Sequence, residues 1–111
     1  MPILLPLLLL AAPPRTEAEL REVFVRTCAA CHGRDGSGVS PEGLRLKGRN
    51  FTSAVEMEGV TDAEMTSVIR KGLLFGLKMP SYKDQFTEEE IATLVRIVRG
   101  ARKGRDVAAR P

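Results

Sequence analysis

Cys28, Ala29, Ala30, Cys31 and His32 stand consecutively, and no other feature of the chain narrows its possible folds so far. Two thiols three positions apart at a helix end lie close together, with an imidazole beside them. In this order they can add to the two vinyl groups of one haem while the histidine nitrogen reaches the iron. Gly33 follows and lets the backbone turn beside a flat ring. The same residues admit other readings. In an exported protein the pair could form a disulfide or a redox-active dithiol, although the thioredoxin version expects a βαβ pattern around it. A structural zinc site wants four Cys or His ligands, and the chain holds two Cys and one His.

A chain of 111 residues makes one domain and buries only a modest share of its surface, so it needs a staple. With no Trp, one Tyr and four Phe, few large side chains remain to fill a core. A bulky bound cofactor would supply that apolar volume.

Three segments carry helical periodicity, and each opens with the same start signal. Thr16 followed by Glu19 predicts a capping box ahead of a helix that lines up Leu20, Val23, Phe24 and Thr27. Thr61 with Glu64 opens a second, which stacks Met65, Val68 and Ile69 before Gly72 stops it. Thr87 with Glu90 opens a third, which stacks Ile91, Leu94, Val95 and Val98 up to Gly100. No stretch alternates as a strand would, so the expected class is all-α. Between the first two helices, residues 33 to 60 form a long glycine-rich connection, the kind of loop normally held by something it wraps. Ser53 with Glu56 could cap a short extra helix there, running to Met57.

Iron with two axial ligands needs a partner for His32, and in electron-transfer haems this is typically Met. Met65 fits the apolar stripe of the second helix and Met57 sits between two glutamates. Met79 differs, because Pro80 pushes it into an extended conformation that presents the thioether from a loop.

With CAACHG at Cys28 to Gly33, GLRLKG at Gly43 to Gly48, KMP at Lys78 to Pro80 and the closing helix EIATLVRIV, residues 16 to 100 resemble a class I c-type cytochrome of the bacterial, monohaem kind. The resemblance implies a small cytochrome c fold, three main helices and loops wrapped around one covalently bound haem c. It implies Cys28 and Cys31 as attachment points, with His32 and Met79 as axial ligands. It places Leu20 and Phe24 against Leu94 and Ile97 in a crossing of the first and last helices. Leu44 stands where the family usually has a proline whose carbonyl accepts from the ligand histidine, so the Leu44 carbonyl is the expected acceptor. Leu44, Leu46, Val68, Ile69, Leu73, Phe75 and Leu77 would bury the ring, Arg49 and Asn50 would hold a propionate, and Lys78, Lys83 and Arg34 would ring its exposed edge.

The implied function is single-electron transfer between redox protein partners, a reductase on one side and an oxidase or dehydrogenase on the other, with no bond of a substrate made or broken. The expected protein is a monomer. A cytochrome subunit of a larger dehydrogenase or oxidase complex is the alternative, and a haem peroxidase or gas sensor a further one. The apolar run at residues 1–12 reads as an export signal cut near Ala12, with residues 13–100 as the cytochrome domain. Export would place the protein in the periplasm, and membrane contact would follow only if the segment were retained as a tether. From Arg99 on, five basic residues face only Asp106, so residues 101–111 read as a basic flexible tail. No aromatic residue interleaves those charges, which argues against nucleic acid as a partner.

Overall fold

The structure, a computed structural model, describes residues 13–101. The expected export segment, 1–12, and residues 102–111 of the expected tail lie outside them. Three helical rods make the fold, and no strand is found among the described residues. The first rod is continuous: α1 (Glu17–Val23), a widened turn (Phe24–Cys28) and α2 (Ala29–His32). The others are α3 (Asp62–Lys71) and α4 (Glu88–Ala101).

The three caps form. Thr16 Oγ1 accepts the Glu19 N–H at 3.2 Å while the Glu19 carboxylate accepts the Thr16 N–H at 2.9 Å. Thr61 Oγ1 accepts from Glu64 at 3.0 Å, and Thr87 and Glu90 repeat the reciprocal pair at 2.8 and 3.1 Å. Each such cap stabilises its helix by about 1 kcal/mol. Gly72 ends α3 with a φ of 74°. Gly100 does not end α4, because Ala101 adds one more helical residue and is buried in the core. Ser53 and Glu56 make a cap-like bond at 3.2 Å, and Met57 closes one turn onto Ser53 at 3.0 Å. That segment is a series of turns and no helix grows from it.

α1 packs across α4. Leu20, Phe24, Leu94 and Ile97 share one buried cluster with Val23, Ile91 and Val98, so the expected helix crossing is present. Each of these side chains contributes about 1.5–3 kcal/mol of burial free energy. Ahead of α1, Arg15 clasps the start of α4. Its Nε donates to Glu90 Oε2 at 2.6 Å, its Nη2 to the Gln85 carbonyl at 2.8 Å, and its guanidinium lies over Phe86 at 5.2 Å.

The widened turn governs where the pentad points. The Ala29 N–H reaches back five residues to the Phe24 carbonyl. This π-type step re-aims the residues after it relative to the core face of α1, and such steps recur at functional positions.

Candidate functional site

Cys28, Cys31, His32 and Met79 line one cavity of about 420 Å³, which the widened turn and α4 also line through Phe24, Leu94 and Val98. The sequence brings them there by two routes. The first rod carries the pentad to its C-terminal end, where α2 stops at Gly33 (φ 78°). A second approach comes from the segment after α3. The Leu73 N–H donates to the Met79 carbonyl at 2.9 Å, and a Cβ on Gly72 would stand 2.4 Å from that carbonyl. Only glycine lets the Met79 segment lie so close to the end of α3.

His32 Nδ1 lies 3.1 Å from the Arg49 carbonyl oxygen. A carbonyl can only accept, so Nδ1 carries the proton and Nε2 keeps its lone pair for a ligand. Burial holds the imidazole below its ordinary pKa, against the opposing pull of the Arg49 carbonyl, so the ring is neutral at pH 7. Phe51 stacks on it with centroids 4.3 Å apart and planes 18° from parallel. Burial, with Cys31 adding to it, pushes the Cys28 thiol up to about 11. A thiol so disposed is not the activated nucleophile of a redox-active pair.

The expected role of Leu44 passes to Arg49. The Leu44 carbonyl is already taken by the Ser40 N–H at 2.8 Å, and the Leu44 side chain is 67% exposed. Neither Leu44 nor Leu46 lines the cavity. They sit in a hairpin-like excursion tied by the Leu46 N–H to the Gly38 carbonyl at 2.6 Å. The chain returns to the pentad only at Gly48, whose N–H donates to the Cys31 carbonyl at 2.7 Å. Asn50 is also absent from the lining, its side chain turned to the Thr52 N–H at 2.9 Å and hydroxyl at 2.6 Å. Arg49 does line the cavity, and its guanidinium donates to the Glu56 carbonyl. Of the expected apolar wall, Val68, Ile69 and Leu73 are in place. Phe75 and Leu77 are not, being 104% and 90% exposed.

Several lining residues escape the sequence reading. Phe51 is one of four phenylalanines and follows the glycine string by three positions, which is the only local sign it offers. Arg45 and Lys47 join Arg49 at the cavity, with Arg45 reaching Glu56 at 3.2 Å. Met57 and Met65 line it too, so three thioethers face the same space.

These residues fit a covalently held haem. The lining is largely apolar, with paired thiols, one imidazole with a free Nε2 and thioether sulfur as donors. A Cβ on Gly48 would come within 2.4 Å of the Cys31 carbonyl and 2.5 Å of His32 Nδ1, so the loop is pressed against the pentad as a close-fitting backing. The zinc reading fails here, since no three His, Cys, Asp or Glu side chains gather among the described residues.

Residues 15–96 match the family described as cytochrome C oxidase, cbb3-type, subunit III. The cbb3-type cytochrome c oxidase subunit CcoP of Cereibacter sphaeroides is 34% identical over 83 residues, which are 75% of this chain and 27% of that protein. The chain thus spans about a quarter of that relative's length. Among solved structures, the KustC0563 c-type cytochrome superposes with a TM-score of 0.60 at 30% identity, over 73% of this chain and 94% of its own. The c-type cytochrome NirC shares the fold, with a TM-score of 0.58 at 20% identity, over 76% of this chain and 88% of its own. With the helical fold and one largely apolar cavity lined by Cys28, Cys31, His32 and Met79, these matches place the chain in the cbb3-type cytochrome c oxidase subunit III family, as a class I c-type cytochrome whose cofactor is covalently bound haem c.

Proposed function

We propose that the protein carries single electrons between redox partners, with one haem held by thioether bonds to Cys28 and Cys31 and its iron bound axially by His32 and Met79. The observation that carries this reading is the meeting of all four side chains at one largely apolar cavity. Bound haem supplies a one-electron iron couple. The chain's own residues do the rest. Arg49 fixes the imidazole tautomer through its carbonyl, and Phe51 holds the ring's plane. Val68, Ile69, Met57 and Met65 keep water from the site, so that little solvent reorganises when the charge changes. Met57 and Met65 are 2% and 9% exposed and serve as packing, whereas Met79 comes from a loop against Pro80.

The likeness to an oxidase subunit favours a second setting for the same chemistry: the cytochrome domain of a larger oxidase assembly. Either setting places the domain on the exported side of a membrane, with its reductant and oxidant as protein partners. No described helix is long and apolar enough to cross a membrane.

The test is intact mass with oxidised and reduced spectra of protein made alongside haem-attachment machinery. The expected result is a mass raised by one haem, a low-spin spectrum and a sulfur-to-iron charge-transfer band that Met79→Ala abolishes. A colourless product, or a band lost in Met57→Ala or Met65→Ala in place of Met79→Ala, overturns the assignment. Sedimentation from native membranes separates the free carrier, near its own monomer mass, from the subunit.

A further inference from the structure

A helix leaves the carbonyls of its last turn without partners from a following turn, and other donors have to take them. At the end of α3 the chain supplies these donors itself. The Val68 carbonyl accepts from the Gly72 N–H at 2.7 Å, the Ile69 carbonyl from the Tyr82 N–H at 3.0 Å and the Arg70 carbonyl from the Ser81 hydroxyl at 2.6 Å. Two of these three donors belong to the stretch just past Met79 and Pro80. The end of α3 is in turn fastened to α4, because the Arg70 guanidinium donates to the two Glu88 carboxylate oxygens at 3.0 and 2.6 Å.

Met79 is therefore held from both sides by one helix end. On the near side Leu73 clamps it: the Leu73 N–H donates to the Met79 carbonyl at 2.9 Å, and the Met79 N–H to the Leu73 carbonyl at 3.4 Å. On the far side Pro80, with its fixed φ, leaves little slack between Met79 and Ser81. The loop inside the clamp adds no hold of its own. Leu74 and Phe75 sit at φ values of 51° and 55°, a region that bulky residues enter only under strain. Leu74, Phe75 and Leu77 are 65%, 104% and 90% exposed, so none of them packs the loop down. Among the described residues, the Ser81 hydroxyl is the one side-chain group that bonds the Met79 segment to α3; the other bonds are backbone to backbone.

Resting on the axial role given to Met79 above, we propose that Ser81 is a positioning residue for the thioether. By donating to the Arg70 carbonyl, its hydroxyl keeps the Met79 segment against the end of α3 and so keeps the sulfur at the cavity. Without that hydroxyl the Arg70 carbonyl turns to water, and the segment pivots on Leu73 while the strained loop relaxes. The consequence is local. Ser81 is exposed and stands outside the buried cluster, so the bond contributes only modestly to global stability. Its loss shows at the ligand and leaves the fold in place.

The test titrates imidazole into the full, haem-loaded, oxidised chain. Added imidazole competes with the thioether for the iron, so its affinity, read from the absorption spectrum, reports how firmly Met79 is held. Ser81→Ala is expected to bind imidazole about fivefold more tightly than the wild type, a difference of about 1 kcal/mol. Ser81→Thr keeps the hydroxyl and is expected to restore the wild-type affinity. Thr66→Ala removes a comparable hydroxyl-to-carbonyl bond, to Asp62 at 2.8 Å, from α3 away from Met79, and is expected to leave the affinity unchanged. Ser81→Ala at the wild-type affinity overturns the proposal, and so does an equal gain in Ser81→Thr or Thr66→Ala. Met79→Ala, with no thioether to displace, sets the upper limit. If Met79→Ala binds no more tightly than the wild type, the axial role of Met79 fails; if it binds more tightly while Ser81→Ala does not, only the positioning fails.

Discussion

Gly48→Ala isolates the contact on which the site's geometry turns. Gly48 is not in the left-handed region, so an alanine there adds no backbone strain and its whole cost is steric. The new Cβ would stand 2.4 Å from the Cys31 carbonyl oxygen and 2.5 Å from His32 Nδ1, whereas ordinary contacts begin near 3.4 Å. The loop has to retreat by about 1 Å, the shortfall between those figures. Two hydrogen bonds lie across that gap: Gly48 to Cys31 at 2.7 Å and His32 to Arg49 at 3.1 Å. Losing both, with their groups left partly buried, costs about 3 kcal/mol. For a domain of this size that lowers Tm by roughly 12–24 °C. Thermal unfolding of the haem-loaded protein by circular dichroism measures it, with Gly43→Ala as the control. Gly43 has a φ of 85° and no atom within 4 Å of its added Cβ, so its substitution costs only conformational strain, about 1 kcal/mol. Gly48→Ala is also expected to raise the reduction potential, because His32 loses the acceptor that makes it a stronger donor to the metal. Equal melting of the two variants, or an unmoved potential in Gly48→Ala, refutes the reasoning.

The Arg15–Glu90 clasp makes stability pH-dependent at the acid end. Hydrogen bonding from Arg15, first among the causes, holds the Glu90 carboxyl at about 2, below its ordinary 4.5. The clasp therefore stabilises fully above about pH 4.5 and fades as the pH falls through 2. With Glu90 6% and Arg15 36% exposed in their side chains, solvent screening leaves about 1–2 kcal/mol. Urea unfolding at stepped pH is expected to show this acid limb in the wild type and to lose its part in Glu90→Gln; superimposable limbs would mean that the clasp contributes nothing. Phe24→Ala, at a side chain 1% exposed in the helix crossing, is expected to cost about 3–5 kcal/mol, and a loss below about 1 kcal/mol by denaturant midpoint would show that the crossing is not the core's centre.

What could be read from the chain alone was short in range. The pentad, the three Thr–Glu caps and Gly72 after α3 each signal through residues one to four positions apart, and the backbone answers such signals locally. The helix crossing was an expectation carried by the resemblance to class I c-type cytochromes, and the apolar faces of α1 and α4, written at helical spacing, are what the structure buries there. The path of the long connection was not legible. Both Gly43-Leu44 and Gly48-Arg49 offered a glycine and a following carbonyl, and composition gave no reason to choose. The choice fell to Arg49 because the chain first folds back on itself, with Ser40 capturing the Leu44 carbonyl, and brings a carbonyl to the His32 imidazole only 17 residues on. Phe51 entered the site by the same return. At Phe75 and Leu77 apolar character pointed inward, as it usually does. The Leu73–Met79 clamp turned them out instead, because hydrogen bonds that close a loop constrain its backbone whatever the side chains would prefer.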